Sequence, residues 1–221
     1  MISVRTDLAV EAHEISKREA KEATEINGVI SRVEEMGRIT VTRVEITNEN
    51  GERALGKAQG NYITIDAPDL KYSVEIYERV CTIIANEIHK MADLSPNSVI
   101  LVAGLGNRDI TPDALGTCVV SKLLVTRHLK SSMSNIFGDN LGDVCAIAPG
   151  VSGTTGIETA DIIKSVTERV KPDLIIAVDA LACADERPGG GTVPERRFSG
   201  EKESRPSGRA EIGRASCRER V

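Results

Sequence analysis

Asp113 and Asp179 are the residues whose setting could do chemistry. Asp113 lies in Thr111-Pro-Asp-Ala-Leu-Gly116, just beyond the apolar run Ile100–Ala103 and the turn Gly104-Leu-Gly-Asn107; Asp179 directly follows the apolar run Leu174–Val178. Both carboxylates therefore fall at the carboxyl ends of expected strands, where open α/β sheets keep their sites. If those strands lie side by side or close, the two groups converge over one edge of the sheet. Carboxylates in contact do not both ionise cheaply, so they share a proton and titrate as a coupled pair. Such a dyad activates a water with one oxygen and protonates a carbonyl or amine with another, which is peptide hydrolysis without a metal. Asp113, near a helix N-terminus, is the expected base and Asp179 the expected proton holder. Taken singly, each aspartate reads as structural rather than catalytic, Asp109 and Asp113 as helix-start acids favoured by the dipole and Asp179 as a strand-end carboxylate.

The neighbouring loops offer binding groups rather than nucleophiles. Gly104 and Gly106 make a tight strand-to-helix turn, but Asp109 stands where a dinucleotide fingerprint needs its third glycine. Ser152, Thr154 and Thr155 sit in the loop Gly150-Val-Ser-Gly-Thr-Thr-Gly156, without a G-x-S-x-G elbow and without a nearby histidine as base. That loop is expected to offer backbone N–H groups to a substrate carbonyl, or to cap its helix. The substrate-binding expectation falls on Gly106, Asn107, Thr154 and Thr155. His13, His89 and His128 have no second ligand at i+4 and read as surface or helix-end residues, so no metal site is expected. The cysteines fall mostly in apolar contexts and read as buried, inert thiols.

The elements that must position these groups follow from periodicity. A charged helix is expected from Asp7 to about Glu25, and Gly28–Val33 with Ile39–Ile46 alternate at period two as a half-exposed β-hairpin. Asn48–Gly51 reads as a turn and Tyr62–Ile65 as a third strand. Val74, Tyr77, Cys81, Ile84, Ile88 and Met91 recur at spacings of three and four, predicting an amphipathic helix over 74–91. After the strand Val99–Ala103, Thr111 suits the N-cap and Pro112 the first position of a helix running to about Leu129, with Ala114, Leu115, Cys118, Val119, Leu123 and Leu124 inward. Val144–Ile147 is a short buried strand. Thr155 and Glu158 have the spacing of a capping box for a helix from Ile157 to about Val170. Strands alternating with helices predict an α/β fold: a mostly parallel sheet with helices on both faces, preceded by an N-terminal β-hairpin layer.

Composition narrows the function classes. Aromatics make up only 2% of the chain, so the core must be built from Val, Ile, Leu and Ala. A net charge of -5 argues against non-specific nucleic-acid binding. Five cysteines without a C-x-x-C pair suggest a reducing cytoplasm. No segment approaches the ~20 apolar residues of a membrane span. Residues 1–182 read as one domain. The stretch 183–221, rich in Arg, Glu, Gly, Pro and Ser, lacks apolar periodicity and reads as a disordered or artefactual tail without a fold; its last residues, from Glu211, resemble translated adapter DNA.

Four motifs then fall together. Ser3-Val-Arg-Thr-Asp-Leu-Ala-Val-Glu-Ala12, Gly104-Leu-Gly-Asn-Arg-Asp-Ile-Thr-Pro-Asp-Ala-Leu-Gly116, Gly153-Thr-Thr-Gly-Ile-Glu-Thr159 and Val178-Asp-Ala-Leu-Ala182 resemble the germination protease family of spore-forming Firmicutes, in order from Ser3 to about Ala182. The resemblance implies an endopeptidase that starts degrading small acid-soluble spore proteins at germination. It implies a homotetramer in the cytoplasm of the forespore and spore core, made as a zymogen, without a cofactor, and similar in fold to hydrogenase-maturation peptidases. It also implies an atypical aspartic mechanism carried by Asp113 and Asp179, with Asp109 the rival for the first role.

Against the family pattern, only Met1 and Ile2 precede the first motif, so the propeptide is expected to be very short or missing. Strands beyond Ala182 are expected to be lacking, which predicts a truncated, inactive chain with an exposed sheet edge. The rival readings are a hydrogenase-maturation type peptidase, a nucleotide-binding module at Gly104, and a non-catalytic fragment that binds spore proteins.

Overall fold

The computed structural model describes residues 8–19, 26–92, 94–132, 142–181 and 209–215, and the chain divides into two units, 1–91 with 182–221, and 92–181. Met1 and Ile2, on which the propeptide expectation falls, lie outside the described residues, as do Cys183 and Cys217. Among those described, no helix is long and apolar enough to cross a membrane.

The first unit contains α1 (Ala9–Glu19), β1 (Val29–Met36), β2 (Ile39–Ile46), α2 (Glu49–Leu55), β3 (Gly60–Asp66) and α3 (Val74–Met91). β1 and β2 form the expected antiparallel hairpin, with Met36 paired to Ile39 across a turn that Gly37 enters at φ 71°. The hairpin is not uniformly half exposed. β1 is an open edge, while β2 is buried on both faces: Ile39 and Val41 point into one core with α3, and Val44 and Ile46 point into another with Ala9 and Leu55. That follows from the two-residue side-chain period of a strand covered on each side.

Three expectations fail in this unit. Asn48–Gly51 is no simple turn. Asn48 caps α2, its side chain accepting from the N–H groups of Asn50 and Gly51, and Gly56 closes the helix in the left-handed region. The same asparagine chemistry serves turns and caps alike. His13, expected at the surface, is buried on α1. In α3 the packed residues are Ile76, Val80 and the part-buried Ile83 and Ile84, whereas Val74, Tyr77 and Cys81 stand exposed.

The second unit contains β4 (Val99–Gly104), α4 (Leu115–Lys122), α5 (Arg127–Ser132), β5 (Asp143–Ile147), α6 (Ser152–Thr155), α7 (Thr159–Val170) and β6 (Leu174–Val178). Its sheet is parallel in the order β5-β4-β6, with Ile100 level with Val144 on one side and Leu174 on the other. From β4 the chain crosses to β5 through α4, then back past β4 to β6 through α7. Right-handed crossovers in opposite directions put α4 and α7 on opposite faces. The molecule is thus α/β, with a parallel sheet and helices in one unit and an antiparallel sheet in the other.

The helix predicted from Pro112 to Leu129 is broken. Thr111–Asp113 form one 3-10 turn whose cap position is Ile110 rather than Thr111, and Leu123 leaves α4 in extended conformation at φ -72°, ψ 135°. Thr126 explains the second break: its N–H donates to the Val144 carbonyl at 2.9 Å, and its hydroxyl accepts the Val144 N–H at 2.9 Å. The buried side of α4 is Gly116 and Thr117, not Leu115 and Cys118. Gly104 sets this choice, because a Cβ there would stand 2.2 Å from the Gly116 carbonyl oxygen. Helix and strand backbones therefore meet directly, through small residues.

One further strand, β7 (Arg209–Ala215), pairs antiparallel with β3. The expectation of a tail without elements is corrected over these residues. An open edge strand recruits backbone N–H and C=O groups whatever side chains accompany them.

Candidate functional site at the carboxyl ends of the parallel strands

The helices that follow the adjacent strands β4 and β5 lie on opposite faces, so a crevice opens between the carboxyl ends of these strands. A cleft of about 450 Å³ occupies that place, lined by the β4 turn (Gly106 to Asp109), by Thr117, Val120 and Ser121 of α4, and by Ala148, Gly150, Val151 and Thr154 after β5. Of the expected binding residues, Gly106, Asn107 and Thr154 line this cleft and Thr155 does not. The Thr155 hydroxyl turns back on its own loop, 3.0 Å from the Ile157 carbonyl and accepting the Ile157 N–H at 3.2 Å. No capping box forms with Glu158. Gly156 closes α6 at φ 71°, and α7 starts at Thr159 without a side-chain cap.

Asp113 is folded back over the β4 turn. Its Oδ2 accepts the Asn107 N–H at 2.7 Å, a charge-assisted bond in a turn that Gly106 makes possible at φ 96°. The Asn107 side chain in turn accepts the Asp109 N–H at 3.0 Å. Asp109 is exposed and lines the cleft, whereas Asp113 is half-buried behind the β4 turn and does not line it.

Asp179 follows β6, the strand on the other side of β4, and its Oδ1 accepts the Ala180 N–H at 2.8 Å. The two aspartate-bearing turns are joined through backbone: the Leu105 N–H donates to the Val178 carbonyl at 2.8 Å, extending the β4–β6 pairing past Gly104. A Cβ on Gly116 would meet that same Val178 oxygen at 2.2 Å. The start of α4, three residues after Asp113, therefore lies against the residue just before Asp179. Each carboxylate keeps its own N–H partner, and each stands at the carboxyl end of neighbouring parallel strands.

Sequence reasoning missed Thr117, Ser121 and Arg108. Thr117 is buried, with its hydroxyl 3.0 Å from the Ala114 carbonyl, and Arg108 is the one cation among the residues lining the cleft. The signal for Thr117 was its place next to Gly116, which fixes that side of α4 against the sheet. The cysteines are not the inert set expected. Among the described cysteines, Cys81 and Cys118 are exposed and Cys145 is half-buried, where burial pushes its thiol pKa up.

A parallel α/β unit with a switch-point cleft and two strand-end aspartates defines an α/β protein with its site at the carboxyl edge of the sheet. The family model described as germination protease matches residues 9–187. The chain is 51% identical over 183 residues to a germination protease of Caldanaerobacter subterraneus, covering 82% of this chain and 55% of the relative. It is 49% identical over 182 residues to that of Clostridium tetani, covering 82% and 56%. The chain belongs to the germination protease family, and it spans about half the length of the curated relatives it matches.

Proposed function

We propose that this chain carries the aspartate site of an endopeptidase that begins the breakdown of small acid-soluble spore proteins during germination. The observation that carries the proposal is the pairing of β4 with β6, which brings the Asp113 turn and the Asp179 turn to adjacent strand ends through Leu105 and Val178. Asp113 takes a proton from a water that attacks the scissile carbonyl carbon. Asp179 gives its proton to the departing amine, so the C–N bond breaks without a cofactor. Gly106, Asn107 and Thr154 flank an extended substrate segment in the cleft, and Thr155 shapes the loop beneath it.

In this reading the fold is that of hydrogenase-maturation peptidases, and the enzyme works as a homotetramer in the cytoplasm of the spore, matured from a zymogen. The test is cleavage of a purified small acid-soluble spore protein by the full chain and its single variants. Asp113→Asn and Asp179→Asn are each expected to lose about 10²-fold or more, the scale of general acid–base catalysis, with Asp109→Asn close to the parent. Undiminished cleavage by either of the first two variants would overturn the assignment.

A further inference from the structure

α3 carries two apolar faces, and among the described residues only one is packed. Ile76, Val80 and the buried Glu87 point at the antiparallel sheet. At ~100° per residue, Val74, Tyr77, Cys81, Ala85 and Ile88 gather about 130° away around the axis. Val74 is 75% and Tyr77 57% exposed, and Tyr72, just before the helix, is 85% exposed. The chain has only three tyrosines and two phenylalanines, yet one tyrosine stands on this stripe and a second is exposed just before it. Exposed tyrosines and aliphatics on a rigid helix have the make-up of an interface core rather than of a solvated face.

The spacing identifies what covers it. Steps of three, four, four and three residues make the stripe symmetric about Cys81, with Val74 and Ile88 equally far from it, and likewise Tyr77 and Ala85. Two copies of α3 laid antiparallel about a two-fold axis at Cys81 set each Val74 on Ile88 of the partner subunit. They set the large Tyr77 on the small Ala85 of the partner subunit, and Cys81 beside its own mate. Charge selects the same direction. Glu75 and Glu78 lie in the first half of the helix and the exposed His89 near its end, so antiparallel apposition brings Glu75 towards His89 of the partner subunit. Parallel apposition would stack glutamate on glutamate.

We propose that α3 is an isologous self-association face, pairing antiparallel with α3 of a second copy across Cys81. The inference places one interface of the oligomer in the functional reading above, and it stands or falls apart from the proteolysis. The test is sedimentation equilibrium of the full chain, with mild copper–phenanthroline oxidation of two variants, one keeping only Cys81 and one lacking only Cys81. A mass of two or more chains, a disulfide-linked dimer from the first variant and none from the second are expected. Tyr77→Glu, whose side chain is exposed and remote from both aspartates in sequence, is expected to weaken association at least tenfold with unchanged circular dichroism. A chain that sediments at 23.7 kDa at all concentrations overturns the proposal. So does an oligomer that survives Tyr77→Glu and cross-links only through other cysteines, which would keep self-association but move its interface. Spore-protein cleavage, scored separately, tests the aspartate site alone.

Discussion

The backbone N–H of Asn107 holds Asp113 through a 2.7 Å hydrogen bond, and it reaches that carboxylate because Gly106 turns the chain at φ 96°. A Cβ on Gly106 would lie 2.0 Å from the Asp113 carbonyl oxygen and 2.8 Å from its Oδ1. Gly106→Ala therefore meets two costs, a left-handed backbone that L-residues resist by about 1–2 kcal/mol and a clash with the residue the turn positions. The variant is expected to lose about 2 kcal/mol or more in urea unfolding. It is also expected to lose spore-protein cleavage beyond what the lost stability explains. Full cleavage by a destabilised Gly106→Ala would show that the placement of Asp113 does not matter to the reaction.

In the first unit, Glu87 is the charged group whose titration bears on stability. Its side chain is 5% exposed, and Arg43 Nη2 and Lys90 Nζ each reach Oε1 at 2.8 Å. The Arg43 hydrogen bond, with help from Lys90, holds the Glu87 carboxyl below its ordinary value of 4.5 against the opposing effect of burial. A depressed folded-state pKa means stabilisation that is complete above the unfolded value of about 4.3 and fades as pH falls through the lower folded value. Glu87→Gln is expected to cost about 2 kcal/mol at pH 7. Parent and variant are expected to converge in urea midpoint only as the pH falls through that lower folded value, where the parent's Glu87 has also lost its charge. A gap that stays constant from pH 7 down into that range would mean that the ion pair contributes nothing through charge.

Thr126 is the corresponding device in the second unit. It is buried, its hydroxyl takes the Val144 N–H at 2.9 Å and donates to the Gly142 carbonyl at 2.5 Å, and its own N–H donates to the Val144 carbonyl. Thr126→Val keeps the shape but leaves the part-buried Val144 N–H and the Gly142 carbonyl without that partner, at an expected cost of about 1 kcal/mol. Thr126→Ser, which restores the hydroxyl, is expected to recover most of it. Equal denaturation midpoints for Val and Ser would assign the loss to packing instead.

The strands of the parallel sheet were legible because their signal is their own. Val99–Ala103 and Leu174–Val178 are continuous apolar runs bounded by turn residues, and such a run reads as a strand even where, as in β6, Ile175 stays 41% exposed. Asp113 and Asp179 could be singled out for the same reason, as acids that follow such runs, Asp179 directly and Asp113 beyond the Gly104–Asn107 turn. Helix boundaries around the site were not, because long-range hydrogen bonds decide them. Thr126 leaves the helical path to bond Val144, and Thr155 serves Ile157 rather than α7. The direction of α3 was hidden by a different cause. The helix has two apolar stripes, and the more regular one, through Tyr77 and Cys81, is exposed among the described residues. Pattern alone names a face without naming its partner. The cleft could not be foreseen either, since Arg108, Thr117 and Thr154 meet only through the crossing of two loops.

Gly116 supplies the sharpest contrast between a rule of composition and the geometry around it. In an exposed helix, glycine to alanine stabilises by about 1 kcal/mol, because alanine loses less backbone entropy on folding. Gly153, in α6, has nothing within 4 Å of a built Cβ and does not sit at positive φ, so Gly153→Ala is expected to follow that rule and be neutral or stabilising. Gly116 is also helical, but its Cβ would stand 2.2 Å from the Val178 oxygen and 2.4 Å from the Leu105 oxygen, both backbone atoms that cannot rotate away. Gly116→Ala is therefore expected to reverse the sign, costing about 1–3 kcal/mol as α4 lifts from the β4–β6 strand ends. Because that lift widens the gap between the Asp113 and Asp179 turns, cleavage by Gly116→Ala is expected to fall while that by Gly153→Ala does not. Urea unfolding and spore-protein cleavage on the pair of variants decide the matter. Stabilisation by both substitutions would mean that α4 does not rest on Val178, and the link between the two aspartates would be lost with it.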